Sequence, residues 1–157
     1  MQVPETVADG FLQNHALSPR HQTIIVASMT ALGGIPGRAG FIAYAGLADT
    51  EDAALLFQQM AELIAGYSAK VAPMRQVAIV FNLPVITTAK GLALLLPIDR
   101  LLWTQRSAGV GQGMAGLQPH APEVWITGDA SPRAEAGLAK LGLALMRRCG
   151  ARLPLLD

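Results

Sequence analysis

The chain has 157 residues, of which 52% are hydrophobic and 15% are charged, and its formal net charge is +1. This length suffices for one domain with a substantial core, since a chain near this size buries roughly 68–70% of its unfolded surface. The scattered charges lack the clustered basic face that is typical of nucleic-acid binding, so we expect no nucleic-acid partner. The single cysteine, Cys149, excludes an intramolecular disulfide, and we expect a cytoplasmic protein.

The first half of the chain carries helix signals in succession. Residues 1–16 favour a short helix. The helix predicted for residues 19–32 begins after the N-cap Ser18, with a proline at its first position, and it ends at the glycine pair 33–34. Residues 38–48 mix alanines with aromatic and β-branched side chains, so this pattern does not decide between a helix and a strand. The helices on either side favour a helix there.

The most regular pattern of the chain lies between Thr50 and Lys70. Apolar side chains recur at steps of three and four, which places them on one stripe of an α-helix. The stripe comprises Ala53, Leu56, Phe57, Met60, Leu63, Ile64 and Tyr67. The other side is predicted to hold Glu51, Gln58, Glu62, Ala65 and Ala69. We expect Asp49 or Thr50 to cap this helix and its stripe to face the core.

The sequence changes to strand character in residues 76–96. Short runs rich in β-branched and apolar residues alternate there with turn residues, so we predict a β-hairpin or a short meander. Pro84 is expected at a sheet edge or a bulge, because it cannot donate to a strand ladder. The polar residues and prolines of this region also make it unsuitable for a membrane span, which needs about 20 nearly uninterrupted apolar residues.

The remaining residues are predicted to alternate between helix and strand. A second helical pattern begins at residues 97–99, and residues 107–122 hold four glycines and two prolines, which predict a flexible connection. A strand at residues 123–127, a helix that begins after Ser131 and a last strand at residues 143–148 form a βαβ unit. The whole chain, residues 1–157, therefore predicts one α+β domain with a helical N-terminal half packed on a small mixed sheet.

One glycine motif suggests a cofactor, but its context argues against it. Residues 111–116 match the G-x-G-x-x-G pattern, which binds dinucleotides when it follows a strand and opens a helix. Here a helix end precedes it and a proline-rich segment follows, so we expect a linker and no cofactor. The histidines, His15, His21 and His120, have no metal-ligand spacing, and we expect no metal. No motif assigns a catalytic residue.

The strand-to-helix turn of residues 127–133 is the predicted ligand site, because free amides at a helix N-terminus can bind anions. A plain turn is the alternative, since the negative charge of Asp129 lies where an anion would bind. The candidate residues are Gly128, Asp129, Ser131, Arg133, Trp103 and Asp99. A pocket near this turn, between the helical half and the sheet and lined by Trp103 or Trp125, would support a ligand-binding or hydrolytic domain.

The composition favours a different function. Few charges and a large apolar fraction predict exposed apolar surface, which a monomer rarely leaves uncovered. We therefore expect a non-enzymatic protein that forms a homodimer, or binds a protein partner, through the helices of residues 19–32 and 50–69. We expect no membrane attachment, because no apolar face is paired with a basic one. The ligand-binding domain described above stays as the alternative.

Overall fold

A computed structural model describes residues 2–117 and 122–156 of the chain. This part of the chain forms an α+β fold with six α-helices and a five-stranded mixed sheet, which confirms the predicted fold class. The helices are α1 (Glu5–Leu12), α2 (Pro19–Ala31), α3 (Arg38–Ala45), α4 (Glu51–Lys70), α5 (Gln105–Ala115) and α6 (Pro132–Lys140). The strands are β1 (Met74–Val80), β2 (Leu83–Thr88), β3 (Gly91–Leu96), β4 (Arg100–Leu101), β5 (Glu123–Ile126), β6 (Asp129–Ala130) and β7 (Ala144–Met146).

The main sheet has the order β1-β2-β3-β5-β7. Strands β1, β2 and β3 form the predicted antiparallel meander, and β5 and β7 are parallel to β3 and to each other. The unit β5-α6-β7 is the predicted βαβ crossover. Pro84 lies in the interior strand β2, but the pairing of β2 with β3 begins only at Val85, so the proline lies beyond that ladder.

The first face of the sheet is covered by the helical half of the chain. Thr50 caps α4, because its hydroxyl accepts a hydrogen bond from the amide of Ala53 at 3.2 Å. The predicted stripe of α4 packs into the core together with α2 and with Ile86 and Leu95 of the sheet. The prediction was wrong for Gln58, which is 2% exposed and whose Oε1 has no partner among the described residues.

The second face of the sheet is covered by α5 and α6. Side chains alternate along a strand, so β2, β3 and β5 present a second apolar set to this side. It packs against Met114 of α5 and Leu138 of α6. The strand residues of this set are Val85, Leu94, Val124 and Ile126.

No described helix combines the length and the apolar character that crossing a membrane requires.

The helix predicted to begin at residues 97–99 is absent, and this prediction was wrong. Residues 100–101 form β4 instead, which pairs in parallel with β6. The pairing places the backbone of Asp99 against Gly128, where an added Cβ would lie 1.9 Å from the Asp99 carbonyl oxygen. Contacts with residues about 30 positions later in the chain therefore outweigh the local helical pattern.

The connection predicted for residues 107–122 is also wrong over most of its length. Residues 105–115 form α5, and residues 118–121, which include His120, lie outside the described part of the chain. Thr104 and Ser107 start this helix with a reciprocal capping box. Two of its glycines pack against side chains: a Cβ on Gly113 would lie 2.6 Å from the ring of Phe81, and one on Gly111 would lie 3.1 Å from Leu141 Cδ1. The G-x-G-x-x-G segment is therefore helical.

The chain covers the outer edge of β1 with its own loop. The amide of Val77 donates to the carbonyl oxygen of Pro36 at 3.0 Å. Gly37 has a φ of +92°, and a Cβ there would lie 1.7 Å from the carbonyl oxygen of Val77.

At the opposite edge of the sheet, β7 is shorter than predicted. A 3₁₀ turn at Cys149–Ala151 follows Arg148, whose φ is +54°.

Candidate functional site

A cavity of about 360 Å³ lies between the second face of the sheet and helices α5 and α6. Its deepest lining residues come from the sheet and from both helices, and each is at most 4% exposed: Leu94, Met114, Val124, Leu138 and Leu143. Leu56 and Met60 of α4 line one end. The cavity therefore lies mainly on the second face, and of the helical half only α4 reaches it.

Regular secondary structure places each wall of this cavity. Leu94 and Val124 are paired residues on neighbouring parallel strands, so both point to the same face. Val110 and Met114 are four residues apart on α5, which places them on one side of that helix. The apolar lining is thus a consequence of strand register and helix spacing.

Trp103 is the one predicted site residue that lines the cavity. Its indole packs directly on the backbone of α6, where a Cβ on Gly137 would lie 2.3 Å from Trp103 Cε2. A Cβ on Gly111 would lie 3.4 Å from Trp103 Cη2. Glycines on both helices therefore make room for this ring, which forms part of the wall.

The polar groups of the cavity all come from the start of α5. They are Thr104, Arg106 and Ser107. The Ser107 hydroxyl donates to the carbonyl oxygen of Leu102 at 2.7 Å and accepts from the Thr104 amide at 2.8 Å. The Thr104 hydroxyl accepts from the Ser107 amide at 3.1 Å. Both hydroxyls are therefore occupied in capping the helix, and the exposed Arg106 is left at the rim.

Most amides around the predicted anion site at residues 127–133 already have acceptors within the chain. Three amides of this turn donate to backbone carbonyls at 2.9 Å: Gly128 to Ile98, Asp129 to Asp99 and Ser131 to Leu101. The Ser131 hydroxyl accepts from the amide of Ala134 at 3.2 Å, which caps α6. Arg133 is exposed and has no ion pair with a described residue. The turn therefore offers few unused polar groups to an anion.

The carboxylate of Asp129 is engaged as well. Arg148 donates to Asp129 Oδ2 from Nε at 2.9 Å and from Nη2 at 2.6 Å, while Arg147 lies 3.5 Å from Oδ1. The hydrogen bonds from Arg148 hold the pKa of Asp129 below its usual value, and the charges of both arginines add to this effect. Arg147 also pairs with Glu135 at 2.6 Å.

These arginines line a second depression of about 450 Å³ at the end of β7. Arg152 lies over the ring of Trp125, with its guanidinium carbon 5.4 Å from the ring centroid. Cys149 is 3% exposed, and burial raises the pKa of its thiol, so this side chain is not a reactive thiolate. The carboxylates of Asp129 and Glu135 offset two of the three arginine charges here.

The sequence interpretation missed Val110 and Met114, because both lie in the segment predicted to be a flexible connection. Two signals point to the helix that carries them. Thr104 and Ser107 have the three-residue spacing of a capping box, and Val110 and Met114 have helical spacing.

Among the described residues, no three His, Cys, Asp or Glu side chains converge as metal ligands would.

No protein-family model, curated protein or solved structure matches this chain significantly. Any function must therefore be inferred from the described residues themselves.

Proposed function

We propose that this chain binds a small apolar molecule in the cavity between the second face of the sheet and helices α5 and α6. The observation that supports this proposal is the cavity lining, which is apolar except for three residues at the start of α5. Small-molecule sites are typically concave, about 300–1,000 Å³ in volume, and mostly apolar with a few polar groups. The cavity of about 360 Å³ meets each of these criteria.

The volume indicates the size of the ligand. An apolar protein cavity of about 150 Å³ holds one benzene molecule, which has six carbon atoms. By that proportion, the present volume of about 360 Å³ suits a molecule of about a dozen non-hydrogen atoms. Transfer of such a molecule from water into the cavity is favourable, because apolar surface is buried on both partners.

A cavity-filling substitution tests this function. Val110→Trp adds an indole to the cavity wall, whereas Gln112→Trp adds the same group to an exposed position two residues away on α5. We expect 1-decanol, measured by titration calorimetry, to bind the unchanged chain and Gln112→Trp equally, and to bind Val110→Trp at least tenfold more weakly.

The same titration is accompanied by thermal unfolding, since a ligand that binds only the folded state stabilises it. Circular dichroism establishes that both variants fold. Equal decanol binding by a folded Val110→Trp variant, or no binding by the unchanged chain, would contradict the proposal.

Self-association is a second proposal, and the exposed side chains support α2 as the surface that would mediate it. The stripe of α4 is buried in the core, so the predicted contribution of residues 50–69 is largely internal. The outer face of α2 exposes Val26, which is 39% exposed, beside Leu12, which is 60% exposed. The residues that form this face carry no charge. They are Leu12, Gln22, Thr23, Val26, Ala27, Thr30 and Ala31.

A second copy of the chain is the proposed partner for this face. A two-fold dimer brings the same patch of both copies together, and a patch without charge meets itself without like-charge repulsion. We expect light scattering over a hundredfold concentration range to show a dimer. Val26→Glu should give a monomer, whereas Leu102→Glu, at an exposed leucine distant in sequence, should leave the dimer intact. A monomer of the unchanged chain at every concentration would contradict this proposal.

A further inference from the structure

The lining of the cavity is asymmetric in charge. Among its described residues, Arg106 is the only charged one, and no carboxylate lies with it. Arg106 is exposed, whereas much of the apolar lining, such as Leu94 and Met114, is buried. A molecule in this cavity would therefore have apolar side chains around most of its length and a single positive charge at the end that faces the solvent.

The guanidinium of Arg106 is available to a ligand. Within residues 2–117 and 122–156, no carboxylate lies within ion-pair distance of it, whereas Arg147 and Arg148 both have carboxylate partners. The neighbouring hydroxyls of Thr104 and Ser107 are occupied by the capping box. Of the three polar residues of the cavity, Arg106 is the one whose N–H groups remain available to a ligand. A guanidinium pairs well with a carboxylate in a bidentate geometry.

The surroundings of Arg106 do not neutralise its charge. Tyr44 lies close enough for the two to interact electrostatically: burial raises the pKa of Tyr44, and the charge of Arg106 partly offsets this effect. The Tyr44 hydroxyl donates to the carbonyl oxygen of Asn82, so it is directed to the turn between β1 and β2. The rim of the cavity is thus a locally positive surface.

From this arrangement we infer that the ligand is an anionic amphiphile, with an apolar chain of about ten carbons in the cavity and a carboxylate paired with Arg106. This inference rests on the proposed function, because it assigns a head group to the molecule whose apolar part fills the cavity. A cationic amphiphile of the same length is disfavoured, since its head group would meet the positive charge of Arg106.

Three probes of equal chain length separate the head group from the tail. Decanoate is anionic at pH 7, decanol is neutral and decyltrimethylammonium is cationic. We expect calorimetric titration of the full chain to rank their affinities in that order, with decanoate at least tenfold tighter than decanol. Added salt should weaken the binding of decanoate and leave that of decanol unchanged, because only the former depends on an exposed charge pair.

Two arginine variants test the assigned partner. Arg106 and Arg133 are each the second residue of a helix and both are exposed, so Arg133→Gln is the matched control for Arg106→Gln. We expect Arg106→Gln to weaken decanoate about tenfold, which corresponds to about 1.4 kcal/mol, and to leave decanol unchanged. Arg133→Gln should change neither affinity.

Each contrary outcome has a distinct meaning. If decanoate and decanol bind equally, the inferred head group is wrong while the apolar site stands. If Arg106→Gln weakens both probes equally in a chain that remains folded by circular dichroism, Arg106 shapes the cavity and does not pair with the carboxylate, which overturns the inference. If no probe binds the unchanged chain, the proposed function itself is wrong.

Discussion

The two faces of the central sheet are covered in different ways. On the first face, α2 and α4 leave side chains such as Ile25, Leu63 and Ile64 at 0% exposure in a continuous core. On the second face, α5 and α6 border an open cavity of about 360 Å³ over the same strands. The sheet therefore has one filled side, which supplies stability, and one incompletely filled side, which is suited to binding.

The difference follows from the side chains of the covering helices. Helix α4 has 20 residues and presents Phe57, Met60, Leu63 and Ile64 to the core. Helices α5 and α6 have 11 and 9 residues, and their sequences, QRSAGVGQGMA and PRAEAGLAK, are dominated by small and polar residues. Small side chains on a covering helix leave space that the strands beneath do not fill.

The largest expected effect contrasts one leucine from each face. Leu63→Ala removes a side chain that is surrounded on all sides, and we expect it to lower the free energy of unfolding by about 2–5 kcal/mol. Leu94→Ala should cost about 1–2 kcal/mol less, because Leu94 borders the cavity and has fewer contacts to lose. Urea denaturation measures both variants. Equal losses would contradict the difference between the two faces.

A pair of glycine substitutions should have smaller and opposite effects. Gly109→Ala on α5 meets no atom within 4 Å, so we expect it to stabilise the fold by about 0.5–1 kcal/mol through helix propensity. Gly137→Ala on α6 places a Cβ 2.3 Å from the ring of Trp103, and we expect it to destabilise the fold by about 1–3 kcal/mol. Thermal unfolding of both variants compares them directly, and stabilisation by Gly137→Ala would show that Trp103 does not form a fixed wall.

The smallest expected effect concerns Asp129, whose ion pairs with Arg147 and Arg148 join β6 to the residues that follow β7. The pKa of Asp129 is lowered in the folded chain, so its contribution to stability is present above its unfolded value of 3.8 and is lost as the pH falls through the folded value. Asp129→Asn should therefore destabilise the chain at pH 7 and have little effect in strong acid. The measurement is urea denaturation at both pH values, and a pH-independent effect would contradict the assignment.

The sequence predicted the filled side of the molecule better than the cavity side. Helices α2 and α4 have N-caps and apolar patterns that extend over several turns, and these are local signals. Helix α5 was missed because its glycines resemble those of a loop, whereas Gly113 and Gly111 lie against Phe81 and Trp103. The carbonyl partners of the turn at residues 127–133 come from residues 98–101. No local pattern reveals contacts over such a separation, so the pairing that fixes this turn could not be predicted.

The loop that carries Pro36 and Gly37 also has a consequence for aggregation. Strand β1 is an edge strand, and its run from Val77 to Val80 consists of apolar residues of the type that template intermolecular β-pairing. Pro36 accepts the outward amide of Val77, and the absence of a side chain at Gly37 lets the loop lie directly against this strand. An incoming strand from another molecule would have to displace that loop first, so the protein protects its most vulnerable edge with its own backbone.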